Sequence, residues 1–281
     1  MLWLHHVSLL EDGVMRSDLS DYAMAASGAF IRAVVYAMLA LPAILVIVSS
    51  FTSGDTMNFP PRGFSLRWYQ KAFENELFMS ALWTSTYVAV LVAIIALVIG
   101  FAGAFAINRF SFPGKAFFQG LAFSPLIVPA VVLGIGLLQL FAWLDLTQTI
   151  YPLLLGHLVL AIPYVVRTIL ASLTLHDRVL EEAAMNLRAT QLQVIRRITL
   201  PLILPGLLSA AIFAFVTSFG NATVSVFLTY GGNVTLPVQI FAYVDTSYDP
   251  LVAAISSIMI VVTLVVILAI ERLIGAERLA Q

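Results

Sequence analysis

"VLEEAAMNLRATQLQVIRRITLP" (residues 179–201) is the most polar stretch between the long apolar runs of this chain. Its local signals describe two short helices. Asp177 can cap a helix beginning at Arg178, because its carboxylate accepts N–H groups that lack an intrahelical partner. Glu181 and Glu182 suit the positive end of that helix dipole, and Ala183, Ala184, Met185 and Leu187 are strong helix formers. Thr190 and Gln193 form a T-x-x-Q capping box that opens a second helix. Leu192, Ile195 and Ile198 recur at spacing three on one face, with Arg196 and Arg197 on the other. The turn falls near 188–190, and Pro201 suits the junction into the next apolar run. By pattern alone, a solvated charged loop is the competing reading.

What surrounds this stretch is far too apolar for a soluble domain. Of 281 residues, 61% are hydrophobic and 10% charged, with a mean hydropathy of +1.00, whereas soluble domains carry about 25% charged residues. An all-α, polytopic membrane protein is expected. A net charge of −1 offers no basic surface for nucleic acid. The absence of cysteine excludes disulfides, thiolate metal sites and a cysteine nucleophile.

Six apolar segments are long enough to span a bilayer: 30–51, 80–107, 117–143, 150–175, 202–228 and 250–272. Each is expected to be helical, since backbone groups in lipid must pair within the segment. Together they make a membrane domain over 29–275, with tails at 1–28 and 276–281. The first run is longer than a signal-peptide core and begins late, so it reads as an uncleaved span. Six spans put both termini on one side. With the N-terminus inside, eleven basic residues (Arg16, Arg32, Arg109, Lys115, Arg167, Arg178, Arg188, Arg196, Arg197, Arg272, Arg278) face inward and three (Arg62, Arg67, Lys71) face outward. Both termini and the 176–201 loop are therefore expected in the cytoplasm.

Pro42, Pro125, Pro129, Pro163 and Pro205 interrupt the spans, as in transporters and channels or in ordinary kinked bundles. Gly100, Gly103 and Ala104, and Gly206, Ala210 and Ala214, are small residues at helical spacing, suited to close packing or to lining a path. Thr217, Ser218, Asn221 and Ser225 continue the second stripe along one side of span five and are candidate substrate-path residues; hydrogen bonding between helices is the alternative.

The spans are almost free of acids, which argues against an ion-coupled secondary carrier or channel. Arg167 is the main ionisable exception, an interfacial anchor by snorkelling or a functional group. No G-x-x-x-x-G-K-[ST] is present, and Gly114-Lys115 lacks its upstream glycine and following hydroxyl. Energy for a pump would come from a partner. His5, His6, His157 and His176 make no H-E-x-x-H, and no paired carboxylates occur within a span, so an enzyme is not expected. His157 reads as a hydrogen-bonded packing residue.

The register of 182–201 resembles the EAA motif of the membrane subunits of binding-protein-dependent ABC importers. That motif is E-A-A, three residues, Gly, nine residues, Ile, one residue, Leu-Pro. Here Glu182-Ala183-Ala184 leads through three residues to position 188, then through nine to Ile198, Thr199 and Leu200-Pro201. One position departs: the family glycine is Arg188, which costs about 1 kcal/mol if its φ is positive. "SLRWYQKAF" (65–73) and "TLPVQIFAYVDTSYDPLVAAIS" (235–256) are similar to spermidine/putrescine-type permeases.

The resemblance implies a type I ABC importer permease fold with a cytoplasmic coupling loop. It assigns ATPase coupling to Glu181, Glu182, Ala183, Ala184, Leu187, Arg188, Ile198 and Pro201. It implies a cytoplasmic ABC ATPase dimer using ATP and Mg, a second permease subunit, usually a different chain, and an extracytoplasmic solute-binding protein. The location would be the bacterial inner membrane, in contact with lipid, and this chain would carry no cofactor of its own. A small, polyamine-like solute is the implied cargo, yet "SFGNAT" (218–223) has Gly220 and Asn221 where such permeases often carry acids. Aminoethylphosphonate, ferric iron and thiamine stay open. Trp68, Tyr69, Phe73, Tyr243 and Tyr248 in the outer segments 52–79 and 229–249 read as interfacial anchors, and Asp245 and Asp249 as solvated acids or partner contacts.

Overall fold

The computed structural model describes residues 2–278, with side chains placed for 21, 22 and 24–272. Among the described residues thirteen helices follow one another: α1 Leu2–Ser50, α2 Arg67–Glu74, α3 Glu76–Arg109, α4 Lys115–Phe123, α5 Ala130–Trp143, α6 Tyr151–Leu175, α7 Val179–Asn186, α8 Gln191–Val194, α9 Leu200–Leu202, α10 Leu204–Phe219, α11 Ser225–Leu228, α12 Leu236–Val244 and α13 Leu251–Arg278. A 3₁₀ turn at Ser124–Leu126 and a π turn at Ile195–Thr199 complete the set. No strand occurs among the described residues.

Among the described residues, four stretches are long and apolar enough to cross a bilayer: Met24–Ser50, Glu76–Arg109, Tyr151–Leu175 and Leu251–Arg272. Two bent pairs bring the number to as many as six. The expected continuous span 117–143 is instead α4 with its 3₁₀ turn and then α5, meeting at 106°. Pro129 explains the break: it has no N–H to donate and it forces the preceding residue away from the helical region. At about 1.5 Å per residue, neither half alone reaches across ~30 Å of hydrocarbon. The expected span 202–228 is also interrupted. The segment Gln191–Leu202 meets α10 at 73°, and α10 stops at Phe219, before α11. Of the expected tail at 1–28, residues 2–28 are part of α1, and the tail at 276–281 is helical as far as Arg278, with residue 1 and residues 279–281 lying outside the described residues.

The centre of the molecule is the packing of α3, α6 and α10. The buried side of α3 carries Val88, Val92, Ala96, Gly100, Ala104 and Ile107, at spacings of four and three. Its other side exposes Trp83, Tyr87, Ile94 and Val98. Both faces are apolar, so residue size rather than polarity marks the inside, as expected where lipid is as apolar as leucine. A Cβ on Gly100 would lie 2.5 Å from Val165 Cγ1, and one on Gly206 would lie 2.5 Å from Ser172 Cβ. The two small-residue stripes thus serve close helix packing at these positions.

A second core lies under the segments 52–79 and 229–249: Trp68, Ala72, Phe78, Ala81, Leu236, Leu251, Ala254 and Ile255. Trp68 is buried here, not placed as an interfacial anchor, and its Nε1–H donates to the Gly54 carbonyl at 3.2 Å. Arg67 donates to the same carbonyl and pairs with Asp55. Asp249 accepts from the Tyr243 hydroxyl at 2.9 Å and from the Leu251 N–H at 3.1 Å. It therefore caps α13 instead of standing free, while Asp245 and Tyr248 are exposed.

Candidate coupling site and span-five cluster

The polar stretch folds as its capping residues dictate. Asp177 Oδ1 accepts from the Val179 N–H at 3.2 Å, although the first regular residue of α7 is Val179 and not Arg178. Thr190 Oγ1 accepts from the Gln193 N–H at 3.4 Å, and Gln193 Oε1 accepts from the Thr190 N–H at 2.8 Å. The capping box is complete.

Between the two helices, Arg188 takes φ +63. Its N–H donates to the Met185 carbonyl at 2.9 Å, and the Ala189 N–H donates to the Ala184 carbonyl at 3.1 Å. These are the two bonds of a Schellman motif, in which the left-handed residue is normally glycine. Arg188 therefore occupies the strained conformation, and its side chain is exposed.

The second helix departs from the expected register. Leu192 is exposed, and the buried residues are Val194 and Thr199. The cause is the π turn at Ile195–Thr199, whose five-residue hydrogen-bond step stacks Thr199 over Val194. Arg196 and Arg197 are exposed, as their side of the helix requires.

Among the residues assigned to coupling, Glu182, Ala183, Leu187, Arg188 and Pro201 are exposed, and Ala184 and Ile198 are partly so. Val179, Leu180, Met185 and Leu192 are also exposed apolar side chains on α7 and α8. A cleft of about 340 Å³ runs between the helices, lined in part by Ala184, Leu187, Arg188 and Ile198. Glu181 stands apart. It is buried, with Oε1 2.8 Å from Arg109 Nη2 and accepting from the Thr199 hydroxyl at 2.9 Å. Removing one member of such a pair costs about 3–5 kcal/mol, because the remaining charge stays buried.

The polar stripe of span five is also drawn inward. Ser218 and Ser225 are buried, and each meets one ring nitrogen of His157 on α6. Ser225 donates its hydroxyl proton to the Asn221 carbonyl at 2.6 Å, so it accepts from His157 Nε2–H at 2.8 Å. Nδ1 then accepts from the Ser218 hydroxyl at 2.7 Å. The imidazole is neutral in this arrangement, with every polar atom paired. Asn221 Oδ1 accepts from the Val224 N–H at 2.9 Å, satisfying the backbone between α10 and α11. Thr217 and Asn221 are half-buried. The sequence flagged His157 and both serines separately. Their union spans 61 and 68 residues, and no local spacing carries it. Arg167 on α6 is exposed.

Broken spans, small-residue packing and a polar two-helix loop define a membrane permease of the type I ABC importer fold. The chain belongs to the family described as "Binding-protein-dependent transport system inner membrane component", which matches residues 96–276. It is similar to the spermidine/putrescine transport system permease protein PotC of Haemophilus influenzae, with 34% identity over 234 residues, covering 83% of this chain and 91% of that one. It is also similar, at 26% identity over 264 residues (93% of this chain, 98% of the other), to PhnV of Salmonella paratyphi A, whose name assigns it to a 2-aminoethylphosphonate transport system. Among solved structures, a bacterial alginate ABC transporter crystallised with its alginate pentasaccharide-bound periplasmic protein matches with a TM-score of 0.69. That match has 17% identity and covers 92% of this chain and 94% of that one. The chain is thus a multi-pass inner-membrane permease subunit of an ABC importer; it is not an enzyme, and ATP hydrolysis belongs to a separate subunit.

Proposed function

We propose that this permease carries a polyamine-like solute and is driven by a cytoplasmic ABC ATPase dimer that docks on α7 and α8. The observation that carries the docking is the outward surface of that loop. Glu182, Ala183, Leu187 and Arg188 are exposed in a ring of apolar side chains (Val179, Leu180, Met185, Leu192) that a partner protein would cover. The alanines allow close approach, Glu182 supplies a charge for pairing, Ala184 and Ile198 line the cleft beside Leu187 and Arg188, and Pro201 is exposed. Glu181 contributes from the inside. ATP and Mg act on the partner, and this chain contributes no cofactor. A second permease subunit, a different chain by family habit, completes the path, and an extracytoplasmic binding protein delivers the solute. The excess of Lys and Arg on the α7–α8 side supports a cytoplasmic location for that loop and both termini.

Polyamine chemistry is supported by the likeness to PotC. Uptake of labelled putrescine should require all four components and fall about tenfold or more in Glu182→Lys, with unchanged membrane abundance. Normal uptake in that variant would overturn the docking role. A second reading rests on charge: the break after α10 carries Gly220 and Asn221, not acids, and Arg167 is an exposed cation within a span. These features suit an anionic or zwitterionic solute such as 2-aminoethylphosphonate. Competition between the two labelled solutes in vesicles separates the readings, and Arg167→Gln weakens uptake only if the second holds.

A further inference from the structure

We propose that Glu181 is a positioning residue that joins the coupling helix to the transmembrane core, so that α7 and the adjoining ends of α3 and α10 move as one body. The inference rests on the docking role proposed for α7 and α8. Neighbouring glutamates in one helical turn have opposite environments: Glu182 points to the surface, and Glu181 is buried. A single oxygen of Glu181 receives donors from two other elements. Arg109 is the last residue of α3, and Thr199 closes the π turn that leads through α9 into α10. They lie 72 and 18 residues away in sequence. Arg109 is itself held, because its Nη1 donates to Asn108 Oδ1.

Water has almost no access to this junction. The side chains of Arg109 and Glu181 are 6% and 10% exposed, against 37% and 84% for the other ion pair among the described residues, Arg67–Asp55. Salt screens a buried pair much less than an exposed one. Stability alone is a poor reason for such a pair, since apolar side chains of similar volume often hold a core as well or better. What the pair adds is a directed, charge-assisted hydrogen bond from Arg109 Nη2 to Glu181 Oε1. The π turn fits the same role: its extra residue per turn rotates Thr199 inward onto the carboxylate. Force applied at the surface of α7 is thus delivered to α3 and α10, two of the three helices of the core.

The chain has no cysteine of its own, so paired spin labels can report the junction directly. Labels at Asn186→Cys on α7 and Phe110→Cys just past α3, both exposed, would be read in the importer purified with its ATPase, second permease and binding protein. Measurements would be made without nucleotide and with ATP plus vanadate. The intact chain should give one narrow distance, the same in both states. Glu181→Gln and Arg109→Leu should broaden it and make it depend on nucleotide while the ATPase still co-purifies. The exchanged pair Glu181→Arg with Arg109→Glu should restore the narrow distance. A distance in the intact chain that changes with nucleotide would overturn the proposal, as would single variants indistinguishable from it. If Arg109→Leu does not accumulate, Thr199→Val removes a hydrogen bond without stranding a charge and must still broaden the distance. Failure of docking is read separately: loss of the ATPase from the intact chain sinks that reading, whereas Glu182→Lys should release the ATPase and leave the α7–α3 distance narrow.

Discussion

Arg188 sits where the EAA register has glycine, and it adopts the conformation that glycine makes easy: φ +63, with both Schellman hydrogen bonds formed. A non-glycine residue in this region is disfavoured by about 1–2 kcal/mol. Arg188→Gly should therefore stabilise the turn by about 1 kcal/mol, offset in part by glycine's greater freedom when unfolded. A higher midpoint of thermal unfolding in detergent would show it; a lower one would mean that the guanidinium has a compensating role. The turn and its caps were legible from residue types alone, because Asp177, Thr190 and Gln193 act on backbone within three residues of themselves. The division of labour between Glu181 and Glu182 was not. Both look alike in sequence, and only the position of Arg109 decides which one is buried.

Among the helices, apolar length identified the membrane segments, and proline marked where they fail to be straight. The size of each bend was not readable. Pro129 announces a break, but the 106° angle depends on how α4 and α5 pack against α6. The π turn before α10 has no recognisable signal in IRRIT, so the apolar stripe expected through Leu192 gave way to Val194 and Thr199. Small-residue stripes were informative but ambiguous between packing and path. The structure resolves Gly100 and Gly206 as points of close helix contact. Gly100→Val would drive a side chain into Val165, and overpacking of this kind costs about 1–3 kcal/mol. Thermal unfolding of the purified chain should register that loss, while Gly136→Val, where a Cβ meets nothing within 4 Å, should not.

At the scale of the entire molecule, the outer surface is largely apolar and includes α1 and α5 residues such as Phe30, Val34, Ile135 and Trp143. The orientation proposed from the Lys and Arg bias is directly testable. Met185→Cys should react with an impermeant maleimide only in inside-out vesicles, and Tyr248→Cys only in intact cells or right-side-out vesicles. Reaction of both from one side would refute the six-span topology. Sequence by itself determined the membrane class, the helical composition, the capped two-helix loop and the importer register. The first three rest on hydropathy over about 20 residues or on contacts within a turn or two, and the register rests on resemblance to a family motif. Tertiary structure alone decided that Glu181 joins Arg109 and Thr199, that His157 gathers Ser218 and Ser225, and that two spans bend. Those outcomes depend on which distant side chain arrives to satisfy a buried charge or hydroxyl, and in a chain apolar on every face, polarity offers no periodicity to foretell it.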